Sequence, residues 1–497
     1  MKFFYDDMIL KSLSCLESIL LLLKKYVAWA ANLYIFFKKY RPSFVAEIVA
    51  SDAAYLISVV LSRKILTLPY LETGDSQAIN APSPAKSFTL TRKKSHSLYC
   101  GSLASGGAER QVTALACELK ARGQNVSVYC QQLKSAAHKH YLSHLQEADV
   151  PVKSPGLYAI VRALLHLLWT KRDISIFQYI PPAIRINVLR LYGELLSSPP
   201  DILHCWLDHT NCSGGWAGLL AGVPLVRLSF RNMNPTRLPY LYAPWMHATY
   251  RVLAMHPNVT FEANSTLGGH DYADWVGISR DRVSIIPNGV YQAAFHKPHR
   301  QEISATRQSL GIASDTPLVC CVFRLSPEKR PLDMISILLQ LRRLLPNAHL
   351  IHAGVGPMEE DIKEAIQQNN LADCFHLLGR RKDIPRLLCA SDVLLLPSEY
   401  EGMPNVILES LFFARPVVAT YAGGAPEIVI PGENGFLHRP GDISGLTQSL
   451  HKLLVDRQLN RQFGTAGQQR ILSDFTSCRM AEMTLRSYDY SLAKIYG

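Results

Sequence analysis

From residue 96 onward, short apolar runs alternate with segments of helical period, and few folds accommodate such a chain. The run "HSLYCGS" (96–102) is followed by a glycine turn and later by the run "NVSVYC" (125–130). Between them lies a segment with apolar residues at i, i+3, i+4 and i+7, namely Val112, Leu115, Ala116 and Leu119. This series predicts parallel strands joined by crossover helices, because neighbouring parallel strands need a long connection.

The alternation falls into two sets, which meet near Asn288-Gly289. Helical material is predicted for about 136–197, and the further apolar runs of the first set are 199–209, 223–229, 259–265 and 282–290. The runs of the second set are 317–325, 348–354, 375–379, 392–398 and 416–420, with helices predicted over 332–345 and 357–369. We therefore predict an α/β protein with two Rossmann-like doubly wound domains, 96–288 and 289–475, that face each other across a cleft.

Residues 1–95 precede the alternation and are predicted to form a helical extension and a linker. Their apolar stretches are interrupted by Lys24, Lys25, Glu47 and Asp52, so none reaches the roughly 20 apolar residues that a bilayer crossing needs. The segment also lacks the pattern of a cleaved secretory signal. Two interpretations stay open: basic and aromatic helices that lie on an anionic membrane surface, or a helical pair packed on the main body.

Charge and cysteine content narrow the class of protein. The net charge is +12, and residues 1–95 hold 13 Lys and Arg against 7 Asp and Glu. These basic residues form no recognisable nucleic-acid-binding module, so we expect no nucleic-acid partner. Eleven cysteines are scattered without a C-x-x-C pair or zinc spacing, which favours reduced thiols in a cytosolic protein.

Several turns at predicted strand ends carry groups suited to anions. Gly106-Gly107 opens the first crossover helix, whose free backbone N–H groups can meet an anion, although such glycine pairs are also common structural turns. Arg324 and Lys329 follow the first strand of the second set and suit a diphosphate; the alternative is a solvated charged loop. Gly354 lies in the glycine segment that ends the next strand, and "LGRRKDI" follows another strand with further backbone donors and charge.

The segment "SEYEGMPNVILES" (398–410) lies between two apolar runs of the second set and carries two carboxylates of interest. Pro404 predicts a turn into a helix that starts near Asn405, where free N–H groups make another anion site. Glu401 lies in the turn, where a sugar would meet the phosphate. Glu409 lies one turn into the helix, where it can accept hydrogen bonds from ribose hydroxyls. Either carboxylate alone would normally be a surface residue.

The order of these motifs resembles the retaining glycosyltransferases of family 4, which have the GT-B fold. The resemblance covers about residues 96–490 and runs through "GGAER", "IIPNGV", "VFRLSPEK", "AGVGP", "LGRRKDI", "DVLLLPSEYEGMPNVILES", "AGGAPEIV" and "NGF". The second half of the chain carries most of its specificity. The segments "SFRNMNP" and "HDYADWVGI" are similar to the Vi-antigen type, which serves bacterial surface polysaccharides.

The resemblance implies roles for the candidate residues. Arg324 and Lys329 would grip the donor diphosphate, and Glu401 would contact the donor sugar. Glu409 would bind the ribose. Further donor-binding positions are implied at Gly106 and Gly107, at Met403, Pro404, Asn405 and Val406, and at Lys382, Asp383 and Ile384, which would frame the base. The family pattern also implies a last helix, within 476–497, that crosses back onto the first domain.

Two departures from the family pattern affect these roles. Phe323 stands where the family usually has a glycine before the phosphate-binding arginine. Phe230 stands where a histidine is frequent, so that Arg231 or Asn232 would substitute in holding the sugar or the acceptor. His209 is an alternative polar group at the end of the preceding strand, although a single histidine there is at least as often structural.

The implied activity is transfer with retention of the anomeric configuration from a nucleotide-diphosphate sugar, a UDP-sugar by family tendency, to a glycan or lipid-linked acceptor. Its setting would be assembly of a capsule or exopolysaccharide, in the cytoplasm or on the inner face of the cytoplasmic membrane. The sequence contains no Asp-x-Asp triplet, so we expect neither a metal nor another cofactor. Two other functions compete: a nucleotide-sugar epimerase of the same architecture, and an inactive membrane-associated adaptor.

Overall fold

The computed structural model describes residues 94–170 and 174–497, together with 65, 67, 68 and 70. The predicted extension over 1–95 therefore lies almost entirely outside the described residues. The rest forms two compact units: a smaller one that contains Gly156–Ser197, and a larger one that contains the described part of 72–155 and Ser198–Gly497. No helix among the described residues combines the length and the apolar character that a membrane span requires.

Strands and helices alternate along the chain. The strands are β1 (Ser95–Cys100), β2 (Asn125–Cys130), β3 (Val152–Lys153), β4 (Ile202–Trp206), β5 (Leu225–Phe230), β6 (Val259–Ala263), β7 (Val283–Ile285), β8 (Leu318–Val322), β9 (His349–Ala353), β10 (Phe375–Leu377), β11 (Val393–Leu396), β12 (Val417–Thr420) and β13 (Gly435–His438). The helices are α1 (Gly107–Ala121), α2 (Leu142–Glu147), α3 (Leu157–Trp169), α4 (Pro182–Ser197), α5 (Asp208–Ala221), α6 (Trp245–Ala254), α7 (Thr266–Val276), α8 (Arg300–Ser309), α9 (Asp333–Leu344), α10 (Glu359–Gln368), α11 (Ile384–Ala390), α12 (Asn405–Phe412), α13 (Ala425–Ile428), α14 (Ile443–Val455), α15 (Arg457–Asp474) and α16 (Ser477–Tyr496).

The larger unit contains two parallel sheets, with strand orders β3-β2-β1-β4-β5-β6-β7 and β10-β9-β8-β11-β12-β13. The predicted pair of Rossmann-like, doubly wound sheets is confirmed. We call the part of this unit up to residue 288 the first lobe and residues 289–475 the second lobe. In both sheets the strand order reverses next to the first strand, between β1 and β4 and between β8 and β11. Ligands of such folds bind at this reversal, beyond the carboxyl ends of the strands.

Two short strands escaped the sequence analysis. β3 has two residues and lies within the segment predicted to be helical, and β13 lies in the "NGF" segment, for which no strand was predicted. Both are edge strands, where a short ladder needs little apolar sequence. The central strands are almost fully buried and therefore read as continuous apolar runs. Among the described cysteines, nine are buried and only Cys478 is exposed, and none forms a disulfide.

Helix α16 brings polar side chains into the interior of the first lobe. The hydroxyl group of Tyr488 lies 2.6 Å from Nδ1 of His204, which is completely buried. Burial raises the pKa of Tyr488 and lowers the pKa of His204, so both are neutral at pH 7. Nε2 of His204 lies 3.6 Å from the Glu262 carboxylate, which favours the ring proton on Nε2, so that the phenol donates to Nδ1. Arg227, also buried, donates to Oγ of Ser487 at 3.0 Å and of Ser491 at 2.8 Å. These contacts attach the last helix to the first sheet.

The chain passes between the lobes twice, and the two passages pair with each other. Val290 donates its backbone N–H to the carbonyl of Phe475 at 2.7 Å and accepts from the N–H of Ser477 at 3.0 Å. Val290 and Thr476 thus form a short parallel bridge where the second lobe begins and ends.

Replacement of Tyr488 by Phe is expected to lower the free energy of unfolding by about 1–3 kcal/mol, because Nδ1 of His204 would stay buried without a donor. Tyr490, two residues further along α16, is 70% exposed and provides the matched control. Urea titrations followed by circular dichroism would measure both variants. Equal effects of Tyr488→Phe and Tyr490→Phe would contradict the importance of the buried contact.

His352 is expected to make the second lobe sensitive to acid. Its ring is fully buried in β9, donates from Nε2 to the carbonyl of Phe323 at 3.1 Å, and packs edge-on against the Phe323 ring at 4.9 Å. Burial lowers the pKa of His352 to about 4 from the usual 6.5. The neutral ring is therefore favoured in the folded state, and its contribution to stability is complete above pH 6.5 and declines as the pH falls towards 4.

We expect His352→Gln to reduce this acid sensitivity, since glutamine can still donate to the Phe323 carbonyl but does not titrate. Between pH 7 and pH 4 the wild type should lose about 3 kcal/mol of unfolding free energy more than the variant. Urea titrations at a series of pH values would measure the difference. A variant that loses as much as the wild type would show that other groups cause the acid sensitivity.

Candidate functional site

A pocket opens at the carboxyl ends of β8 and β11, where the order of the second sheet reverses. The second lobe lines it with Arg324, Glu328, Lys329, Tyr400 and Glu401, and the first lobe with Asn232, Met233, Leu238 and Tyr240. The three residues predicted to be catalytic, Arg324, Lys329 and Glu401, therefore lie in one pocket.

Lys329 and Glu401 contact each other directly. Nζ of Lys329 lies 2.7 Å from Oε1 of Glu401, and the same oxygen accepts a hydrogen bond from Oγ of Ser398 at 2.8 Å. Lys329 ends a 3-10 turn after β8, whereas Glu401 follows β11, so the contact joins two strand ends. The side chains are 19% and 9% exposed. The pair fixes the carboxylate in position and leaves the ammonium group two further N–H donors for a ligand.

Arg324 is an exposed cation at the mouth of the same pocket. Its guanidinium carbon lies 5.2 Å from the centre of the Tyr240 ring. No carboxylate among the described residues lies within ion-pair distance of it. Arg324 therefore retains its full charge and its N–H donors for an anion that enters the pocket.

Asn405 joins the second lobe to the first through its side-chain amide. Nδ2 donates to the carbonyl of Gly107 at 3.2 Å, and Oδ1 accepts from Gln111 at 3.0 Å and from Asn288 at 2.9 Å. Gln111 also exchanges two hydrogen bonds with the backbone of Gly289. The predicted start of helix α12 is thus also a contact between the lobes.

The residues next to Asn405 shape the turn that leads into α12. Pro404 has the extended conformation of an N-cap residue, and Met403 accepts a hydrogen bond from Nδ2 of Asn288 at its carbonyl, at 3.0 Å. Val406 is half-buried and packs on the core of the second lobe. None of the three side chains lines the pocket. The donor binding predicted for these positions would therefore involve their backbone groups.

Glu409 is 4% exposed and forms an ion pair with Arg110 of helix α1. Nε of Arg110 in turn donates to the hydroxyl of Tyr141 at 3.0 Å. The carboxylate predicted to bind ribose is therefore held by a cation of the first lobe. Arg110 belongs to the "GGAER" motif, but its sequence position gave no sign of this partner.

Two of the predicted glycines lie where a side chain would collide with a neighbouring segment. A Cβ on Gly107 would lie 2.8 Å from Nδ2 of Asn405, so the glycine permits the approach of the two lobes. Gly354 has φ +154°, and a Cβ there would overlap the carbonyl of Phe323. Phe323 stands before Arg324, where the family usually has a glycine. Here Gly354 is the glycine that allows the two backbone segments to approach closely. Gly106 is the extended N-cap residue of α1.

The segment predicted to frame the base lies at the start of α11. Asp383 accepts two hydrogen bonds from Arg381, at 2.8 and 2.6 Å, and this arginine lowers the pKa of the carboxyl group. Lys382 is exposed, and Ile384 is the half-buried first residue of the helix. None of these residues lines the pocket described above.

Of the residues predicted for the acceptor side, Arg231, Asn232 and His209, the structure places only Asn232 in the pocket lining. Asn232 lines the pocket, whereas the guanidinium group of Arg231 is buried, 2.8 Å from Glu262 and 3.6 Å from the centre of the Trp206 ring. Burial lowers the pKa of Arg231 to about 10, and Glu262 offsets part of this effect, so the side chain stays charged. His209 is exposed and packs edge-on against Trp245. Phe230, at the place of the frequent histidine, stacks on Tyr272 at 3.9 Å.

One group of histidine and carboxylate side chains within the described ranges could share a metal ion, and it consists of His296, His299 and Glu302. It lies at the start of α8, and none of its members lines the pocket. The pocket holds two carboxylates, of which Glu401 pairs with Lys329 and Glu328 accepts from Tyr240 and Ser326. The expected absence of a metal remains a prediction.

Sequence reasoning missed the residues by which the first lobe completes the site. Tyr240 and Glu328 line the pocket and meet across the lobes, with the phenol donating to Oε1 of Glu328 at 2.9 Å. Arg110, Gln111 and Asn288 contact α12. Tyr240 belongs to three consecutive large side chains, Tyr240, Leu241 and Tyr242, which the structure shows to be exposed, and the sequence alone gave no sign of that exposure.

Comparisons with known proteins agree with this architecture. The family described as "Glycosyltransferase Family 4" matches residues 105–292, and that described as "Glycosyl transferases group 1" matches residues 302–470. The first match covers most of the first lobe and the second match covers most of the second. Together they include the pocket and the contacts of α12.

The most similar relatives include a bacterial polysaccharide biosynthesis protein and a bacterial galactosyltransferase. The Vi polysaccharide biosynthesis protein VipC/TviE of Salmonella typhi is 26% identical over 365 residues, which are 68% of this chain and 61% of that protein. The UDP-Gal:alpha-D-GlcNAc-diphosphoundecaprenol alpha-1,3-galactosyltransferase of Escherichia coli is 29% identical over 287 residues, 55% of this chain and 71% of the enzyme.

Among solved structures, Alr3699/HepE of Anabaena, in complex with UDP-glucose, superposes with a TM-score of 0.63 and 22% identity. The superposition covers 80% of this chain and 99% of that protein and shows a common GT-B fold. Because the two family descriptions match both lobes, this chain belongs to the family 4 glycosyltransferases, and within them it is similar to the Vi polysaccharide protein.

Proposed function

We propose that this protein transfers a sugar, with retention of anomeric configuration, from a nucleotide-diphosphate sugar to a glycan or lipid-linked acceptor. The proposal rests on the convergence of Arg324, Lys329 and Glu401 from two strand ends in one pocket. These residues lie up to 77 positions apart in the sequence, and each of them alone could be an ordinary charged surface residue. Two cations beside a fixed carboxylate form a site for a diphosphate with its attached sugar.

The cations would act on the charge that develops when the donor bond breaks. The bond between the anomeric carbon and the diphosphate oxygen breaks, and the bonding electrons stay on the diphosphate. Arg324 and Lys329 would stabilise this charge, since preformed positive groups in a partly closed site need little reorganisation. They would also supply the charge that a divalent metal supplies elsewhere, so we propose a reaction without a metal or a further cofactor.

The acceptor hydroxyl would attack from the side of the leaving group. A new bond forms between its oxygen and the anomeric carbon, and its proton passes to an oxygen of the departing diphosphate. Glu401 is held by Lys329 and Ser398, so it would orient the sugar and would not act as nucleophile or proton donor. Glu409 would accept hydrogen bonds from the ribose once Arg110 gives way, and Asn405 would place the N–H groups of α12 near the phosphates.

The choice of donor and acceptor follows the relatives. A UDP-sugar is the first candidate, because the similar E. coli protein is named for UDP-Gal; another relative is named for GDP-mannose. Assembly of a surface polysaccharide is proposed from the similarity to the Vi polysaccharide protein. We also propose that the protein works in the cytoplasm, with residues 1–95 as the part that would contact the inner face of the membrane.

Alanine replacements of Arg324, Lys329 and Glu401 are each expected to lower turnover about a hundredfold or more. The first two remove a positive charge beside the leaving group, and the third removes the carboxylate that would orient the sugar. Release of nucleoside diphosphate from a panel of UDP-, GDP- and ADP-sugars would measure the effect. Arg343, an exposed arginine of α9 outside the pocket, is the charge-matched control. Unchanged turnover in the Lys329 variant would remove the argument for diphosphate binding.

The product is expected to retain the anomeric configuration of the donor sugar, and turnover is expected to continue in EDTA. Nuclear magnetic resonance of the product made with a soluble acceptor would determine the configuration. Formation of an altered nucleotide sugar without any acceptor would instead identify an epimerase. Complete inhibition by EDTA that added Mg²⁺ or Mn²⁺ reverses would contradict the reaction without metal.

A further inference from the structure

The first lobe contributes one wall of the pocket. This wall is the segment between Asn232 and Tyr240, which the carboxylate of Asp271 holds in place. Oδ2 of Asp271 accepts from the backbone N–H and the side-chain amide of Asn234, both at 2.8 Å. Oδ1 accepts from Nε and Nη2 of Arg237, at 2.8 and 2.7 Å. Four hydrogen bonds to one carboxylate attach the segment that leads to Tyr240 to helix α7.

Tyr240 contacts two groups of the second lobe with different parts of its side chain. The ring lies 5.2 Å from the guanidinium carbon of Arg324, and the hydroxyl donates to Oε1 of Glu328 at 2.9 Å. The same oxygen accepts from Oγ of Ser326 at 2.6 Å. Tyr240 is nevertheless 44% exposed and lines the pocket, so it combines these contacts with access to a bound molecule.

The guanidinium carbon of Arg324 lies over the Tyr240 ring, so the ring contact and a bound phosphate need not compete for Arg324. A guanidinium group donates its hydrogen bonds in its own plane, whereas an aromatic ring interacts with the face of the group. Tyr240 can therefore stay in contact while Arg324 donates to a phosphate. With no carboxylate of the described residues beside it, Arg324 would otherwise sample many rotamers, and each hydrogen bond to a ligand would require ordering of a long side chain.

The hydrogen bond from the Tyr240 hydroxyl to Glu328 also links the first lobe to the side of the pocket that carries Lys329 and Glu401. Glu328 lies in the turn that also contains Lys329, and its carbonyl accepts from the backbone N–H of Glu399 at 2.8 Å. Glu399 lies two residues before Glu401. A contact of Tyr240 with Glu328 therefore supports the two turns that carry Lys329 and Glu401.

We infer that Tyr240 is a positioning residue, which holds Arg324 in the orientation that binds the donor diphosphate and attaches the first lobe to the Glu328 turn. This inference rests on the proposed function, because it assigns the diphosphate to Arg324. It also makes the first lobe necessary for full affinity towards a nucleotide that the second lobe binds.

A double-mutant cycle on UDP binding tests the inference. Titration calorimetry would compare wild type, Tyr240→Leu, Arg324→Ala and the double variant; GDP and ADP would be titrated into the wild type as well, and the nucleotide bound most tightly would be used. Tyr240→Leu alone should weaken binding about threefold to thirtyfold. In the Arg324→Ala background the same change should weaken it less than about twofold, because the group through which Tyr240 acts is already absent.

Two variants separate this role from a merely structural one. Tyr240→Phe keeps the ring and should bind UDP within about twofold of wild type, while its kcat falls because the contact with Glu328 is lost. Tyr242→Leu, two residues away, 38% exposed and outside the pocket lining, should match the wild type in both. Circular dichroism would establish that all variants are folded.

The outcomes are distinguishable. The inference would be overturned if Tyr240→Leu lowered UDP affinity equally with and without Arg324. It would also be overturned if Tyr240→Phe lowered UDP affinity as much as Tyr240→Leu does. Either result would leave the transferase proposal intact. A wild type that binds none of the three nucleoside diphosphates would overturn the proposed function, and the inference with it.

Discussion

The side-chain amide of Asn405 is shared between the two lobes, and the arrangement of the pocket depends on it. It contacts Gly107, Gln111 and Asn288 of the first lobe while its own backbone begins helix α12 of the second. An amide can donate and accept at once, so one residue satisfies partners on both sides. Glu409, one turn further along the helix, adds its ion pair with Arg110. These contacts bring Tyr240 within reach of Arg324 and Glu328 and thereby complete the pocket from two separate sheets.

The two cations of the pocket differ in how far a neighbouring carboxylate compensates their charge. Lys329 is paired with Glu401 and is mostly buried, whereas Arg324 is exposed, lies beside the Tyr240 ring and has no carboxylate of the described residues within ion-pair distance. A paired cation is held in place but has part of its field cancelled, and an unpaired cation attracts an anion over a longer range. Arg324 is therefore suited to the approach of a diphosphate. Lys329 is suited to a fixed position beside the bond that breaks.

Local pattern was enough to predict the two sheets, because their central strands are buried on both faces and appear in the sequence as uninterrupted apolar runs. The same pattern predicted that Arg324, Lys329 and Glu401 lie close together, since residues that follow parallel strands collect at one edge of the sheet, and all three line one pocket. Tyr240 and Arg110 escaped it because their partners lie 88 and 299 positions away, and only the approach of the lobes creates those contacts. Arg231 illustrates the opposite case. It follows a strand as a site residue would, yet its side chain turns into the interior to meet Glu262.

The bridge between Val290 and Thr476 has a consequence for motion. Both chain passages between the lobes run through this bridge, and backbone hydrogen bonds hold them together. Two adjacent tethers act as a hinge: they allow one lobe to rotate about a line through the bridge but resist sliding and separation. Opening would then be widest at the far edge of the cleft and smallest near Gly289, so a substrate would enter from the side opposite the hinge.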